Sequence, residues 1–467
     1  MRMAAPTPTV SQAPAARPRL GLWTRVARRL GLTAAAMSRM AGRGSGSIVG
    51  GRVMLRLAPR ALHRMARGRR IVLVTGTNGK TTTTRMLTSA MALTGRVISN
   101  SRGSNMPDGL VSALARDLRA PNAVLEVDEL HLAMVSADVR PQAIVLLNLS
   151  RDQLDRVGEV RMLEAKLRRA IATQPQALVV ANADDPLVVS AAVDAPRTVW
   201  VAVGSGWLDD KTTCPRCGDP IDMSRSDWSC VCGLRRPEPT WRLEDDKLIL
   251  ASGEVLRLNL RLPGRVNLAN AAMALATAAE LGSTPQAALP VLAELSDVEG
   301  RYRQVRLDGR AARFLLAKNP AGWAEMLTML DNQTSPIVVV VNGQTPDGCD
   351  LSWLWDVPFE QLRGHALVAS GERAADLSVR LTYAEVDHQT VPDPIAAIAA
   401  APEVSAGPTG GATGAGGTDT TGGEVAKMIT VTGTAGAGPA VEVVANYTAF
   451  RDLLVRARRL AGDGWTQ

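Results

Sequence analysis

Residues 71–84 read IVLVTGTNGKTTTT: a β-prone apolar run, a turn carrying Gly76 and Gly79, and a polar helix start at Lys80. Strand, glycine turn and helix in that order form the frame a phosphate cradle requires. The glycines let the backbone approach an anion without Cβ clashes. Successive amides through Thr77 and Asn78 are expected to point at it, and the helix N-terminus adds favourable potential. Lys80 would neutralise the β/γ charge of ATP, and Thr81 or Thr82 would offer a hydroxyl to Mg²⁺. A plain glycine turn with a solvated lysine is the bland alternative, and the coincidence of all three elements argues against it. The loop is two residues shorter than the common GxxxxGK[ST] form.

Outward from this loop, short apolar runs alternate with helical segments: AVLEVDE (123–129), AIVLLNLS (143–150) and ALVVANADD (177–185) read as strands. That pattern predicts an α/β domain whose parallel sheet is covered on both faces. Glu126, Asp128 and Glu129 close the first of these runs, and strand alternation predicts Glu126 and Asp128 on one face, positioned for Mg²⁺. A second α/β pattern begins near residue 300 with RFLLAK, PIVVVVN, HALVAS and VEVVANY. The expected organisation is a basic, partly disordered leader (1–48), a central ATP-binding domain (49–300) with a small insert (207–239), and a C-terminal domain (301–467). Residues 402–425, rich in Gly, Thr and Ala, read as a flexible surface insertion.

The chain has 467 residues, 46% of them hydrophobic, more than one core usually holds, yet no apolar run is long enough to span a bilayer. The net charge is +8, with the surplus gathered in the first seventy residues at Arg17, Arg19, Arg25, Arg28, Arg29, Arg43, Arg52 and Arg56. Leu22, Val26 and Leu30 lie at helical spacing among them. A solvated leader is the preferred reading over a helix resting on an anionic membrane. No apolar core with a cleavage site follows the early arginines, which predicts a cytoplasmic protein.

The insert CPRCGDPIDMSRSDWSCVCG (214–233) supplies Cys214 and Cys217 as one knuckle and Cys230 and Cys232 as a tighter one. Four thiolates at this spacing predict a closed, structural zinc ribbon. The insert lacks interleaved aromatics, and its basic run is Arg235 and Arg236, which argues against nucleic acid as partner.

GTNGKTT resembles the loop of the Mur ligase and folylpolyglutamate synthase superfamily, and later stretches extend the likeness. NLSRDQLDRVGEVRMLEAKLRRAI (148–171) is similar to the family's NxxxDHxDR and its following helix, ANADDP (181–186) to its NADDP strand end, and LPGRVNLANAAMALA (262–276) to its GxHNxxNAxAA. The resemblance implies that Glu126 holds Mg²⁺, that Asn267 and Asn270 line the adenine pocket, and that Lys166 matches a lysine carbamylated in many members. Where the family has His after Asp152, this chain has Gln153.

LLAKNPAGWAEML, DGCDLSWLWDVPFE and ANYTAFRDLL resemble, within that superfamily, the ligase subunits of lipid II isoglutaminyl synthases; the likeness runs from about Val49 to Leu454. It implies ATP-dependent amidation of the D-glutamate α-carboxylate of the peptidoglycan stem peptide to D-isoglutamine, through an acyl-phosphate, at the inner face of the membrane. The chain shows no glutaminase nucleophile of its own. The resemblance implies a class I, GatD-like glutaminase partner whose triad is completed by Asp350, with Asp347 and Asp356 as rivals. The alternative is a Mur or folylpolyglutamate-type ligase that adds an amino acid and needs no glutaminase.

Overall fold

The computed structural model describes residues 20–41, 45–100, 104–151, 159–204, 211–224, 227–295, 302–307, 310–330, 335–402 and 441–461. It divides into two compact units, Met1–Glu299 and Gly300–Gln467.

The first unit runs α1 (Leu22–Met40), α2 (Ser47–Leu57), α3 (Ala61–Ala66), β1 (Arg70–Thr75), α4 (Lys80–Ala92), β2 (Val97–Ser99), α5 (Pro107–Arg116), β3 (Asn122–Glu126), α6 (Leu132–Val139) and β4 (Ala143–Leu146). It continues with α7 (Glu159–Ala172), β5 (Leu178–Asn182), α8 (Pro186–Ala192), β6 (Thr198–Ala202), β7 (Trp241–Glu244), β8 (Lys247–Ile249), β9 (Val255–Arg257), α9 (Arg265–Glu280) and α10 (Pro285–Ala293). The strands form one sheet in the order β2-β3-β1-β4-β5-β6-β7-β8-β9. It is parallel as far as β7, after which β8 and β9 fold back antiparallel.

β1 is buried on both faces because its side chains alternate. Ile71 and Leu73 enter the core shared with α2, α3 and α5 to α8, whereas Val72 and Val74 enter the core beneath α4, α9 and α10. The chain leaves β1 for β2, returns to β3, then crosses to β4 on the other side, so the end of β1 lies at a switch point. Crevices at such points are where open α/β sheets take ligands. Register aligns Val74 with Glu126 and Thr75 with Leu146, so the loop after β1 and the ends of β3 and β4 share one sheet edge.

The second unit comprises β10 (Tyr302–Leu307), β11 (Arg310–Leu316), α11 (Pro320–Leu330), β12 (Ile337–Val340), β13 (Leu367–Ser370), α12 (Ala374–Tyr383), β14 (His388–Thr390), α13 (Pro394–Ala400), β15 (Val441–Ala445) and α14 (Tyr447–Ala461). Its sheet order is β10-β11-β15-β12-β13-β14, parallel except for the β10–β11 hairpin. Trp323 is fully buried against Trp353 and Phe359, at ring-centroid distances of 5.8 and 6.0 Å.

The leader expectation needs correction within residues 20–48. Residues 22–40 form helix α1, packed on α2 through Thr24, Ala27, Gly31, Ala35 and Ser38. Leu22, Val26 and Leu30, whose spacing suggests the helix, are on its exposed side. Residues 1–19 and 403–425, the remainder of the leader's basic start and nearly all of the flexible insertion, lie outside the described residues. The short strands β2, β6, β7, β10 and β14 are not among the runs that stand out in the sequence.

α2 approaches α5 so closely that a Cβ on Gly51 would fall 1.8 Å from the Asp108 carbonyl oxygen. Gly51→Ala must therefore push the helices apart. The expected cost is about 1–3 kcal/mol, read as a lowered urea midpoint or melting temperature for the first unit.

Candidate functional site

The loop after β1 is held by its neighbours as well as by its own glycines. Gly76 and Gly79 have φ of +135° and +83°. The amide of Thr77 donates to the Asn148 carbonyl (2.9 Å), and the amide of Asn78 donates to the Asn148 side-chain oxygen (2.8 Å), whose own amide group donates back to the Asn78 carbonyl (3.1 Å). The Thr77 hydroxyl donates to the Ser150 carbonyl (3.1 Å) and accepts from the Ser150 amide (3.0 Å). Asn148 and Ser150, on the segment after β4, thus fix the shape of a loop 70 residues earlier in the chain. This corrects the expectation that the amides of Thr77 and Asn78 point at an anion: both are engaged by Asn148, and the first amides of α4 are left for that role. The NLSRDQLDR motif contains Asn148 and Ser150, but sequence gives them no role until β4 is known to pair with β1.

Lys80 opens α4 and is buried. Its ammonium donates to the carbonyls of Gly76 (2.6 Å) and Thr77 (3.2 Å) and to the Glu129 carboxylate (3.1 and 3.3 Å). Thr82 beside it is buried, and Thr81 half-buried at the helix start.

Glu126 ends β3 with its backbone clamped by the Asn100 side chain, which donates to its carbonyl and accepts from its amide, both at 2.8 Å. The residue is 3% exposed, and its Oε2 has no hydrogen-bond partner among the described residues. A buried, partnerless carboxylate oxygen is costly unless a cation completes it, so this residue fits Mg²⁺. Asp128 has a different use. Alternation continues past the end of β3, Val127 entering the same core as Ala123 and Leu125, but the Asp128 carboxylate caps the short turn Glu129–His131 by accepting from the Leu130 amide (3.0 Å).

Asn270 and Asn267 separate in role. Asn270, buried on α9, accepts from the Thr83 hydroxyl (3.2 Å) and lies so close over the loop that a Cβ on Gly79 would be 2.4 Å from its Oδ1. Asn267 turns back to donate to the Pro263 carbonyl (2.6 Å) at its own helix start. Lys166 is exposed on α7; Asp152 and Gln153 lie outside the described residues.

In the insert, Cys214, Cys217, Cys230 and Cys232 converge, their sulfurs all within 4.8 Å of one another, with Sγ–Sγ distances of 3.6 Å for Cys214–Cys232 and 3.4 Å for Cys217–Cys230. Those separations suit the edges of a tetrahedron of sulfurs about zinc. Each knuckle closes with a glycine, the Gly218 amide donating to the Cys214 carbonyl and the Gly233 amide to the Cys230 carbonyl. Burial pushes the Cys214 thiol up, but the amides of Cys217 and Arg216 and the adjacent thiols outweigh it and bring it down to about 7. The same thiol contacts push Cys217 and Cys230 up, so the metal-free cluster favours a thiolate at Cys214 hydrogen-bonded by its neighbours.

The ribbon is anchored at both ends to consecutive aspartates of the ANADDP strand end. Lys211 pairs with Asp185 at 3.0 Å, both buried, and Arg236 pairs with Asp184 at 2.7 Å. Asp185 also accepts from the Leu149 amide (3.0 Å), next to the Ser150 that holds Thr77. Neither Lys211 nor the double duty of Asp185 is legible in the sequence.

In the second unit the three rival aspartates part company. Asp347 is taken up by Thr448, accepting from its amide (2.9 Å) and its hydroxyl. Asp350 is exposed, with one oxygen accepting from the Ser352 amide (2.8 Å). Asp356 is half-buried at the end of the turn Ser352–Trp355.

Residues 74–212 match the family described as Mur ligase middle domain, and residues 316–403 match the MurT ligase C-terminal family. The chain is 29% identical over 72% of its length to the lipid II isoglutaminyl synthase (glutamine-hydrolyzing) subunit MurT of Streptococcus pneumoniae, covering 82% of that protein. It is also 29% identical over 68% of its length to the Staphylococcus aureus subunit of the same name, covering 78% of it. Among solved structures it is similar in fold to MurF from Acinetobacter baumannii, with a TM-score of 0.58 at 15% identity over 87% of this chain and 80% of that one. A pseudomurein peptide ligase type C from Methanothermus fervidus gives a TM-score of 0.57 at 18% identity, over 83% of this chain and 79% of that one.

Gly79→Ala sets a Cβ against Asn270 at a left-handed backbone position. It is expected to weaken ATP binding about tenfold or more, measured by calorimetric titration. For the ribbon, exhaustively dialysed protein is expected to keep about one equivalent of zinc, and Cys214→Ser to lose it and to melt at lower temperature.

Proposed function

Since the chain belongs to the Mur ligase family and carries the C-terminal domain of its MurT branch, we infer that it is the ATP-consuming subunit of a lipid II isoglutaminyl synthase. Its reaction amidates the α-carboxylate of the stem-peptide D-glutamate to D-isoglutamine. The observation that carries the reading is the phosphate loop with buried Lys80 on the same sheet edge as Glu126, whose Oε2 has no partner among the described residues, in one chain with the MurT-type C-terminal domain.

A carboxylate is a poor acyl donor because oxide would have to leave. Its oxygen therefore attacks the γ-phosphorus of ATP, the bond to the β–γ bridging oxygen breaks, and ADP departs. Ammonia then attacks the acyl carbon of the mixed anhydride, the carbon–oxygen bond to phosphate breaks, and the nitrogen gives up a proton to form the amide. Lys80 offsets charge on the transferring phosphoryl group, and the first amides of α4 orient the phosphates. Glu126 with Thr81 would hold Mg²⁺, which spreads that charge further. Asn270 fixes the loop from above, and Asn267 remains assigned to the adenine side. Cys214, Cys217, Cys230 and Cys232 would hold zinc as a closed structural site.

Ammonia is scarce at neutral pH, and a class I glutaminase partner would generate it. Asp350 is the residue proposed to complete that partner's Cys–His pair. It is exposed on the C-terminal unit, whereas Asp347 is already engaged by Thr448. An aspartate in that place orients the histidine and stabilises the imidazolium. A lipid-linked substrate sets the reaction at the membrane surface; no helix among the described residues is long and apolar enough to cross a bilayer.

The test is purified chain with lipid II, ATP and ammonium, then with a glutaminase subunit and glutamine. Ammonium-driven amidation is expected from the chain alone and is expected to fall at least about a hundredfold in Lys80→Ala. Asp350→Asn should cut the glutamine-driven rate by about two orders of magnitude or more while sparing the ammonium-driven rate. Addition of an amino acid in place of the amide would overturn the reading.

A further inference from the structure

We propose that α1 is a membrane-docking helix whose outward apolar stripe seats on an anionic lipid bilayer. The helix is turned the opposite way from an ordinary amphipathic surface helix. Its inward side is built of small residues, Thr24, Ala27, Gly31, Ala35 and Ser38, all buried. The fit is tight enough that a Cβ on Gly31 would lie 2.4 Å from the Met54 side chain and 2.6 Å from the Gly50 carbonyl. Large side chains are thereby kept off the inner face. Leu22, Trp23, Val26, Leu30, Met37 and Met40 all face solvent, Trp23 at 74% and Leu22 at 71% exposure. At 3.6 residues per turn these six fall within about 100° of arc, a continuous stripe rather than scattered exposed residues.

Charge decides what covers it. The first acidic residue of the chain is Asp108, and the 107 residues before it hold nineteen of the 53 basic residues. With a net charge of +8 overall, the other 360 residues are net negative, so the positive field belongs to this end alone. On α1 itself Arg25, Arg28, Arg29 and Arg39 occupy the flank between the stripe and the buried face. Arg28 is drawn inward by donating to the Ala115 carbonyl (2.7 Å), while Arg29 stays exposed. Arginines beside a Trp- and Leu-bearing stripe, with no acid among them, match an anionic headgroup layer over an apolar interior. A second copy of the chain would bring like charges together across the stripe. Residues 1–19 offer only Met1, Met3 and Val10 as large apolar side chains with which to cover it. Lipid binding here needs no nucleotide and stands apart from the reaction assigned above.

The experiment is flotation of the full-length chain with vesicles of phosphatidylcholine containing phosphatidylglycerol, against phosphatidylcholine alone, without nucleotide. Selective flotation with the anionic vesicles is expected, reduced at high salt and reduced about tenfold or more in the double variant Trp23→Ser, Leu30→Ser. Both positions are solvent-facing, and an unchanged melting temperature would show that the variant folds. Three results would overturn the proposal: no flotation with either vesicle, equal flotation of the double variant, or a stripe that forms dimers or captures the glutaminase subunit without binding vesicles.

Discussion

A buried ammonium must be surrounded by oxygen, and much of the first unit is arranged to satisfy that requirement at Lys80. Two of its partners are carbonyls of its own loop, Gly76 and Thr77, and the third is Glu129, brought by β3 from 49 residues further along the chain. Removing an ammonium from water costs several kcal/mol, and only close, well-aligned acceptors offset that cost. The loop carbonyls therefore point at Lys80, which turns the amides of Thr77 and Asn78 the other way, toward Asn148, and leaves an anion to the start of α4. Parallel pairing of β1 with β3 and β4 supplies the outside contacts this geometry needs: Glu129 from one side, Asn148 and Ser150 from the other.

The four-cysteine ribbon joins the same scaffold through the strand end ANADDP. Asp184 and Asp185 diverge, one to Arg236 and the other to Lys211, so both stems of the insert are fixed to adjacent residues of the host sheet. Asp185 additionally caps α8 through the amides of Leu187 and Val188 and holds the Leu149 amide. A hydrogen-bonded path thus runs from the ribbon to Asp185, along Leu149 and Ser150, to Thr77 in the loop. The Mur-type strand end is a junction between insert and cradle, which gives a physical reason for two acids in succession where a single helix cap would need one.

Under the proposed reaction the phosphate loop lies in the first unit, on elements packed on both faces of the sheet. The second carries Asp350 on an exposed turn braced by the buried Trp323, Trp353 and Phe359 cluster. In the role proposed for it, Asp350 has to be exposed in its own chain and carried on a stiff turn, and that aromatic packing supplies the stiffness.

The sequence by itself determined the α/β class, the loop at residues 76–82 and the four-cysteine set, because each is written in short-range spacing: period-two apolar runs, glycines beside a lysine, paired cysteines. It does not reach what depends on a local turn or on which side of a helix finds a partner. Alternation sets Asp128 beside Glu126, but the turn that follows takes the Asp128 carboxylate as its cap. α1 is recognisable as helical, yet its apolar spacing does not reveal which face packs. The buried face is the one whose small residues fit Gly50 and Met54, and steric fit between helices is a property of the partner as much as of the helix. Asn148, Ser150, Asn100 and Lys211 stay inconspicuous because nothing local marks them. Tertiary structure alone decided their roles, since an amide or a carbonyl acquires a partner only once strand register has set the two a hydrogen bond apart.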